Sequence, residues 1–250
     1  MYPLVQQKMR VLAFVLMVLL TITPTAEAFQ LVSIDQEIRI GQDMADQMEA
    51  EYGLYHDRHW NRLVAEIGQR LVPYSRRPEL PYQFRILDTD QVNAVAIPGG
   101  FVYVYRGLLD AVNDDDELAA VIAHEIAHVA NRHSMRRLER NLGIQLGLTF
   151  LFRLLLRNEP SASGWQQVSN VGVHLLNQGY SREDEFDADL TGAQMMAQAG
   201  YDPKGMIRFF QALQEMRRRE PSRIEVFFST HPPHSDRIER IEEWMDTEYL

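Results

Sequence analysis

The sequence predicts an α+β fold, mostly helical, with one small β-sheet set beside the helix that carries the chemistry. Three observations support this. Apolar residues recur at helical spacing through most of the chain and are bracketed by capping residues. Only residues 82 to 105 show the period-two alternation of strands. The segment Glu117 to Arg132 has the composition and ends of a helix, and it contains His124-Glu125-Ile126-Ala127-His128.

The chain has 250 residues, 46% of them hydrophobic and 24% charged, enough for one substantial core. Its first thirty residues have another purpose. Lys8 and Arg10 precede the apolar run Val11 to Leu20, and Ala26-Glu27-Ala28 places small residues where a signal peptidase reads them. The run is too short to span a bilayer comfortably. The expected organisation is a signal peptide over 1–28, cleaved after Ala28, followed by one domain over 29–250; an uncleaved leader that anchors the protein in the membrane is the alternative.

The elements follow in order. Ser33-Ile-Asp-Gln36 reads as a capping box, opening a helix that runs to Glu51 before Gly53. Trp60, Leu63, Val64, Ile67 and Leu71 mark a second amphipathic helix, closed by Pro73. Tyr82, Phe84 and Ile86 alternate, as do Phe101, Tyr103 and Tyr105 against Val102 and Val104. These are strands separated by Asn93 to Ile97 and a Pro-Gly-Gly turn. Asp114 to Asp116 offer an N-cap and negative charge at the start of the next helix, and Arg132, Arg136 and Arg137 crowd its end. Leu142 to Leu156 is apolar almost all round, which suits a core helix, a lid or a transient membrane contact; Arg153 and the short length favour core or lid. Asn158 to Gly164 reads as a loop and Trp165 to Gly179 as a helix. Ser181 caps the next helix, Asp202 with Pro203 opens another that ends near Arg219, and Ser235 caps a last one through Trp244.

Composition narrows the function classes. The chain has no cysteine, so neither a disulfide framework nor a lipid-attachment cysteine is present. Without Lys8, Arg10 and Glu27 there remain 23 basic and 34 acidic residues, a net charge of −11 that argues against nucleic acid as a ligand. The basic clusters Arg136 to Arg140 and Arg217 to Arg219 fit helix C-termini on a solvated face.

The chemistry starts from His124 and His128. Two histidines four apart on a helix project from one face about a turn apart, the separation a tetrahedral zinc ion needs from two imidazoles. Glu125 lies beside them, placed to take a proton from an activated water. A core helix with two incidental histidines is the plainer reading, but burying two imidazoles and a carboxylate without partners costs several kcal/mol. A further ligand should come from another element. In Tyr-Ser-Arg-Glu-Asp-Glu-Phe-Asp-Ala-Asp, residues 180 to 189, Glu185 and Asp189 share a helix face, so that one could bind the metal while the other orients a ligating histidine. Dipole complementation accounts for most of these charges but not for their continuation to Asp189.

Four blocks now stand in order: Asn93 to Gly100, His124 to His128, Ser181-Arg182 through Glu185 to Asp189, and Ser229-Thr230-His231-Pro232 leading to Arg237-Ile238. With them the chain resembles the gluzincin peptidases that include HtpX, the CAAX prenyl endopeptidases and the BepA-like periplasmic proteases. The resemblance spans nearly all of the chain after the leader and implies a zincin-type metallopeptidase domain. It implies one Zn2+ per chain held by His124, His128 and Glu185, with Glu125 as the base, Asp189 behind the ligands, and His231 and Arg237 lining the site. In proteases an extended substrate can add to a sheet edge, and Asn93, Ala94, Val95 and Ala96 are the candidate edge.

The remaining histidines fit other roles. His56, His59 and His174 stand alone and suit caps or surface, while His234 suits a rigid turn. His133, nine residues after His124, should point to the opposite side of its helix. The expected function is a zinc endopeptidase of the periplasm that acts on unfolded or damaged envelope proteins, a substrate class that comes from the resemblance only. A holdase or assembly factor that binds such chains with little cleavage is the alternative, to which the apolar Leu142 to Leu156 segment lends support and the intact Glu125 does not. The spacing leaves oligomeric state and cleavage preference open, and it leaves His231 open as either a transition-state donor or a latency ligand.

Overall fold

The computed structural model describes residues 32–141, 162–176, 178–233 and 236–249, and gives no side-chain detail for 162–167. The leader, the apolar stretch Leu142 to Leu156 and the cap at Ser235 lie outside the described residues.

Helix α1 (Ile34–Tyr52) starts at the expected capping box. The Ser33 hydroxyl accepts from the Gln36 amide at 3.3 Å, the Gln36 side chain accepts from the Ser33 amide at 3.0 Å, and Gly53 closes the helix at φ 72°. Helix α2 (Arg58–Leu71) is capped by Asp57 and runs into a short 3-10 turn around Pro73. Its start precedes the expected Trp60 because Asp57, not an apolar residue, opens it.

Three strands follow, β1 (Gln83–Leu87), β2 (Ala94–Ile97) and β3 (Phe101–Tyr105), in the order β1-β3-β2. β1 pairs with β3 in parallel, Gln83 opposite Phe101, and β2 pairs with β3 antiparallel, Ala94 opposite Val104. Among the described residues β2 stands at one end of the strand order, and Asn93 to Ile97 are all buried. The β2–β3 turn needs glycine: Gly99 sits at φ 81°, and a Cβ there would come within 2.7 Å of Ile38 Cα. Val102 and Val104 join the main core, whereas the Tyr103 hydroxyl meets Glu49 of α1, so the two faces of β3 divide as the alternation predicts.

After the short helix α3 (Arg106–Leu109), helix α4 (Asp115–Ala130) carries the H-E-x-x-H motif. Asp114 caps it, accepting from the Glu117 amide at 2.8 Å. Every residue from Glu117 to Ala130 is buried, so α4 forms the axis of the core. It ends at Ala130, with Asn131 as its C-cap, two residues short of the expected Arg132. Residues 133–141 are helical again and form α5.

Helices α6 (Ala162–Leu176), α7 (Arg182–Ala199), α8 (Lys204–Arg219), α9 (Pro221–Thr230) and α10 (Asp236–Trp244) complete the described chain, with a π-helical turn over Met245–Tyr249. α6 as described, Ala162–Leu176, overlaps the expected loop, and Gly179 is not helical. α8 starts one residue later than expected, although the Asp202 carboxylate still caps the Lys204 amide at 3.0 Å. α9 is absent from the sequence expectation, and it matters because its C-terminus delivers His231. α7 packs closely on α4: a Cβ at Gly192 would lie 3.2 Å from the His124 backbone nitrogen. Among the described residues no helix is long and apolar enough to cross a membrane.

Candidate metal centre

α4 presents His124 and His128 one turn apart, and the Ser181-capped first turns of α7 carry Glu185 and Asp189 against them. α9 ends at His231, whose amide closes on the Phe227 carbonyl at 2.7 Å. These elements bring four side chains together: one ligand atom each from His124, His128, Glu185 and His231 lies within 4.8 Å of every other. All are buried, as is Glu125; His124 is the most exposed of the five, at 7%.

Four ligands about 2.0 to 2.2 Å from a tetrahedral ion are separated by edges of roughly 3.3 Å. The observed separations bracket that value. His124 Nε2 is 2.9 Å from His128 Nε2 and 3.3 Å from His231 Nδ1, and Glu185 Oε1 is 3.2 Å from His231 Nδ1 and 3.5 Å from His128 Nε2. Three imidazoles and one carboxylate are also a donor set that zinc accepts. Glu125 Oε2 is buried and has no hydrogen-bond partner, which fits a base waiting for a proton donor. On both grounds the residues fit a divalent cation.

Further side chains hold this group. Asp189 Oδ1 is 2.9 Å from His124 Nδ1, at ion-pair distance but poorly aligned for a hydrogen bond. Arg237 donates to Asp189 twice, at 2.6 Å each, and its Nη1 lies 2.7 Å from Glu185 Oε2. Tyr180 stacks on the His128 ring, centroids 3.8 Å apart, and its hydroxyl is 2.7 Å from Ser134 Oγ. His231 turns its Nε2 toward Glu125 Oε1 at 3.4 Å.

Burial and charge shift the titrations in opposed ways. Burial raises the Glu125 carboxyl above its ordinary range, against the pull of His231 and His124. Burial would raise Glu185 too, but the charges of His231 and Arg237 with hydrogen bonds from His128 and His231 hold it well below. Burial drives His128 well below its ordinary value, so its ring is neutral. Burial also opposes charge on His231, yet the Glu185 and Glu125 carboxylates raise it.

Every candidate site residue lies within the described residues. His124, His128, Glu185 and His231 meet at one point; Glu125, Asp189 and Arg237 surround it. β2 runs alongside α4, with the Ala96 amide donating to Glu125 and the Ala96 carbonyl accepting from Ser134 Oγ at 3.3 Å. His133 is a correction. It does not point away: its Nδ1 is 2.8 Å from His128 Nδ1, because α4 breaks before it. Tyr180 and Ser134 carry no motif signal in the sequence and were not expected.

The model for peptidase family M48 matches residues 58–245. A beta-barrel assembly-enhancing protease of Yersinia pestis is 31% identical over 210 residues, 82% of this chain and 43% of that protein. The mitochondrial metalloendopeptidase OMA1 of Schizosaccharomyces pombe is 30% identical over 224 residues, 87% of this chain and 63% of its own length. The metalloprotease YcaL of Escherichia coli is 28% identical over 161 residues, 64% of this chain and 61% of that protein. The chain thus spans about half the length of the curated relatives it matches.

Proposed function

We propose that this chain, which belongs to peptidase family M48, is a zinc-dependent endopeptidase of the bacterial envelope that cuts unfolded or misassembled envelope proteins. The observation that carries the reading is the convergence of His124, His128 and Glu185 beside a buried, unpartnered Glu125 oxygen. His124, His128 and Glu185 would hold the ion. A bound zinc ion supplies Lewis-acid polarisation of a carbonyl and acidifies water.

The chain's own residues do the rest. Glu125 accepts the water proton and passes it to the leaving amine. Asp189 holds His124 with a nitrogen directed to the site, and Arg237 holds Asp189. Strand β2 supports docking of an extended substrate at the sheet edge, through Asn93, Ala94, Val95 and Ala96, once the Ala96 groups are released.

His231 stands at the fourth corner of the ligand set and also reaches Glu125. It would act as a restraint on the site until the loop through Pro232 moves. Substrate class and location rest on the leader signals and on the activity for which the bacterial relatives are named, beta-barrel assembly enhancement. Digestion of casein with and without a chelator tests the reading; binding of casein without cleavage, unaffected by the chelator, would support the holdase instead.

A further inference from the structure

Helix α4 stops two residues after His128, and the reason lies in tertiary structure. Arg132 turns the chain at φ 59° and is the one non-glycine residue at positive φ among the described residues. Left-handed backbone is unfavourable for an L side chain, so something must hold it there. The guanidinium does so, donating to Glu37 of α1 at 2.9 Å and to Glu139 of α5 at 3.2 Å. Glu37 is fully buried and takes two further hydrogen bonds from Arg77 at 2.9 Å.

The turn changes where His133 goes. On a continuous helix a residue five positions after His128 would lie roughly 140° around the axis from it. Instead the His133 ring sits 4.9 Å from the His128 ring, with the two Nδ1 atoms 2.8 Å apart. Its other nitrogen, Nε2, is 3.1 Å from Asp187 Oδ2, two residues beyond Glu185 on α7. Asp184 Oδ1 stands further off, at 3.6 Å.

Only one proton fits between the two Nδ1 atoms, and its side decides what His128 can do. If His128 carries it, the neutral ring keeps a lone pair on Nε2, the atom that faces His124 and Glu185. If His133 carries it, His128 becomes the acceptor, its own proton moves to Nε2, and that nitrogen cannot ligate. A carboxylate only accepts, so Asp187 pairs with a proton on His133 Nε2; the His133 tautomer that carries its proton there is bare at Nδ1 and accepts from His128.

We infer that Asp187 and His133 form a positioning relay that fixes the His128 tautomer and so sets the affinity of the site for a divalent cation. The inference rests on the proposed metal centre. His133 touches neither substrate nor ion; it acts through His128. The arrangement replaces, for one ligand, the carboxylate that Asp189 supplies to the other, and the Arg132 turn is what brings it within reach.

The test is the zinc affinity of the full chain, measured by competition with a chromophoric chelator, together with the visible spectrum of the cobalt form. His133→Leu fills the space without an acceptor and should bind zinc about 10 to 100-fold more weakly, the usual cost of losing such a partner. His133→Asn restores an acceptor near Nδ1 and should recover most of the affinity and the native cobalt spectrum, a rescue that a merely space-filling role would not produce. Asp187→Ala, at a half-exposed position, should fold normally and weaken zinc in the same direction, which keeps the question decidable if His133→Leu fails to fold. Zinc affinity within twofold of native in His133→Leu, or in Asp187→Ala where only that variant folds, would overturn the relay. His128→Ala separates the two readings: it should abolish zinc binding, and native affinity there would overturn the metal centre and the relay with it.

Discussion

Arg237 grips Asp189 through two hydrogen bonds of 2.6 Å across 48 positions of sequence, and both residues are buried. Burial alone would lower the guanidinium's pKa, but Asp189 and Glu185 raise it above the ordinary value. Removing one partner leaves two carboxylates buried without their counter-charge. Arg237→Ala should therefore destabilise the chain by about 3 to 5 kcal/mol in chemical denaturation, and Arg237→Lys by less, because it keeps the charge and loses the fork. Equal stability of Arg237→Ala and native protein would show that the pair does not hold the site.

Glu185 and Asp189 lie four residues apart on α7 and should behave differently. Glu185→Ala removes a ligand and should abolish tight zinc binding, whereas Asp189→Ala, which only orients His124, should weaken it by about 10 to 100-fold. Metal content after dialysis against a weak chelator measures both. Native zinc retention in Glu185→Ala would remove that residue from the ligand set.

The left-handed turn at Arg132 sets two effects against each other. Arg132→Ala loses the contacts to Glu37 and Glu139 and keeps the strain; Arg132→Gly loses the same contacts and releases it. The glycine variant should be the more stable by about 1 to 2 kcal/mol. Thermal and denaturant midpoints compare them, and a less stable glycine variant would mean that the turn is not strained.

Features encoded in a few neighbouring residues were legible in the sequence. The Ser33, Asp114 and Ser181 caps, the faces of β3 and the histidine pair on α4 all follow from local spacing. The motif blocks imply His124, His128 and Glu185 as ligands with His231 lining the site, and the structure brings these four side chains together. What was missed depends on contacts between distant segments. A continuous helix turns His133 away from the site; the break at Arg132 that brings it back is held by Glu37, 95 positions earlier. α9 is hard to read from sequence because its ten residues carry only Pro221 as a start signal. The Tyr180 stack on His128 has no periodic signature at all.

His231 can be tested by the sign of its effect. On the proposed restraint, His231 beside Glu125 holds the enzyme back, so His231→Ala should raise basal casein cleavage while zinc stays bound. A transition-state donor would behave oppositely, with loss of about 10² to 10³ in rate. A fall of that size at native zinc content would exclude the restraint.

The most direct measurement is casein cleavage by purified protein of known zinc content, native and Glu125→Gln side by side. The amide preserves shape and leaves the ligands untouched but cannot accept a proton. Glu125→Gln should carry the same zinc as native protein, unfold at a similar temperature and cleave at least a hundredfold more slowly, while native activity should vanish with chelator and return with zinc. Cleavage by Glu125→Gln at the native rate, or native cleavage indifferent to the chelator, would contradict a metal-dependent peptidase that works through Glu125.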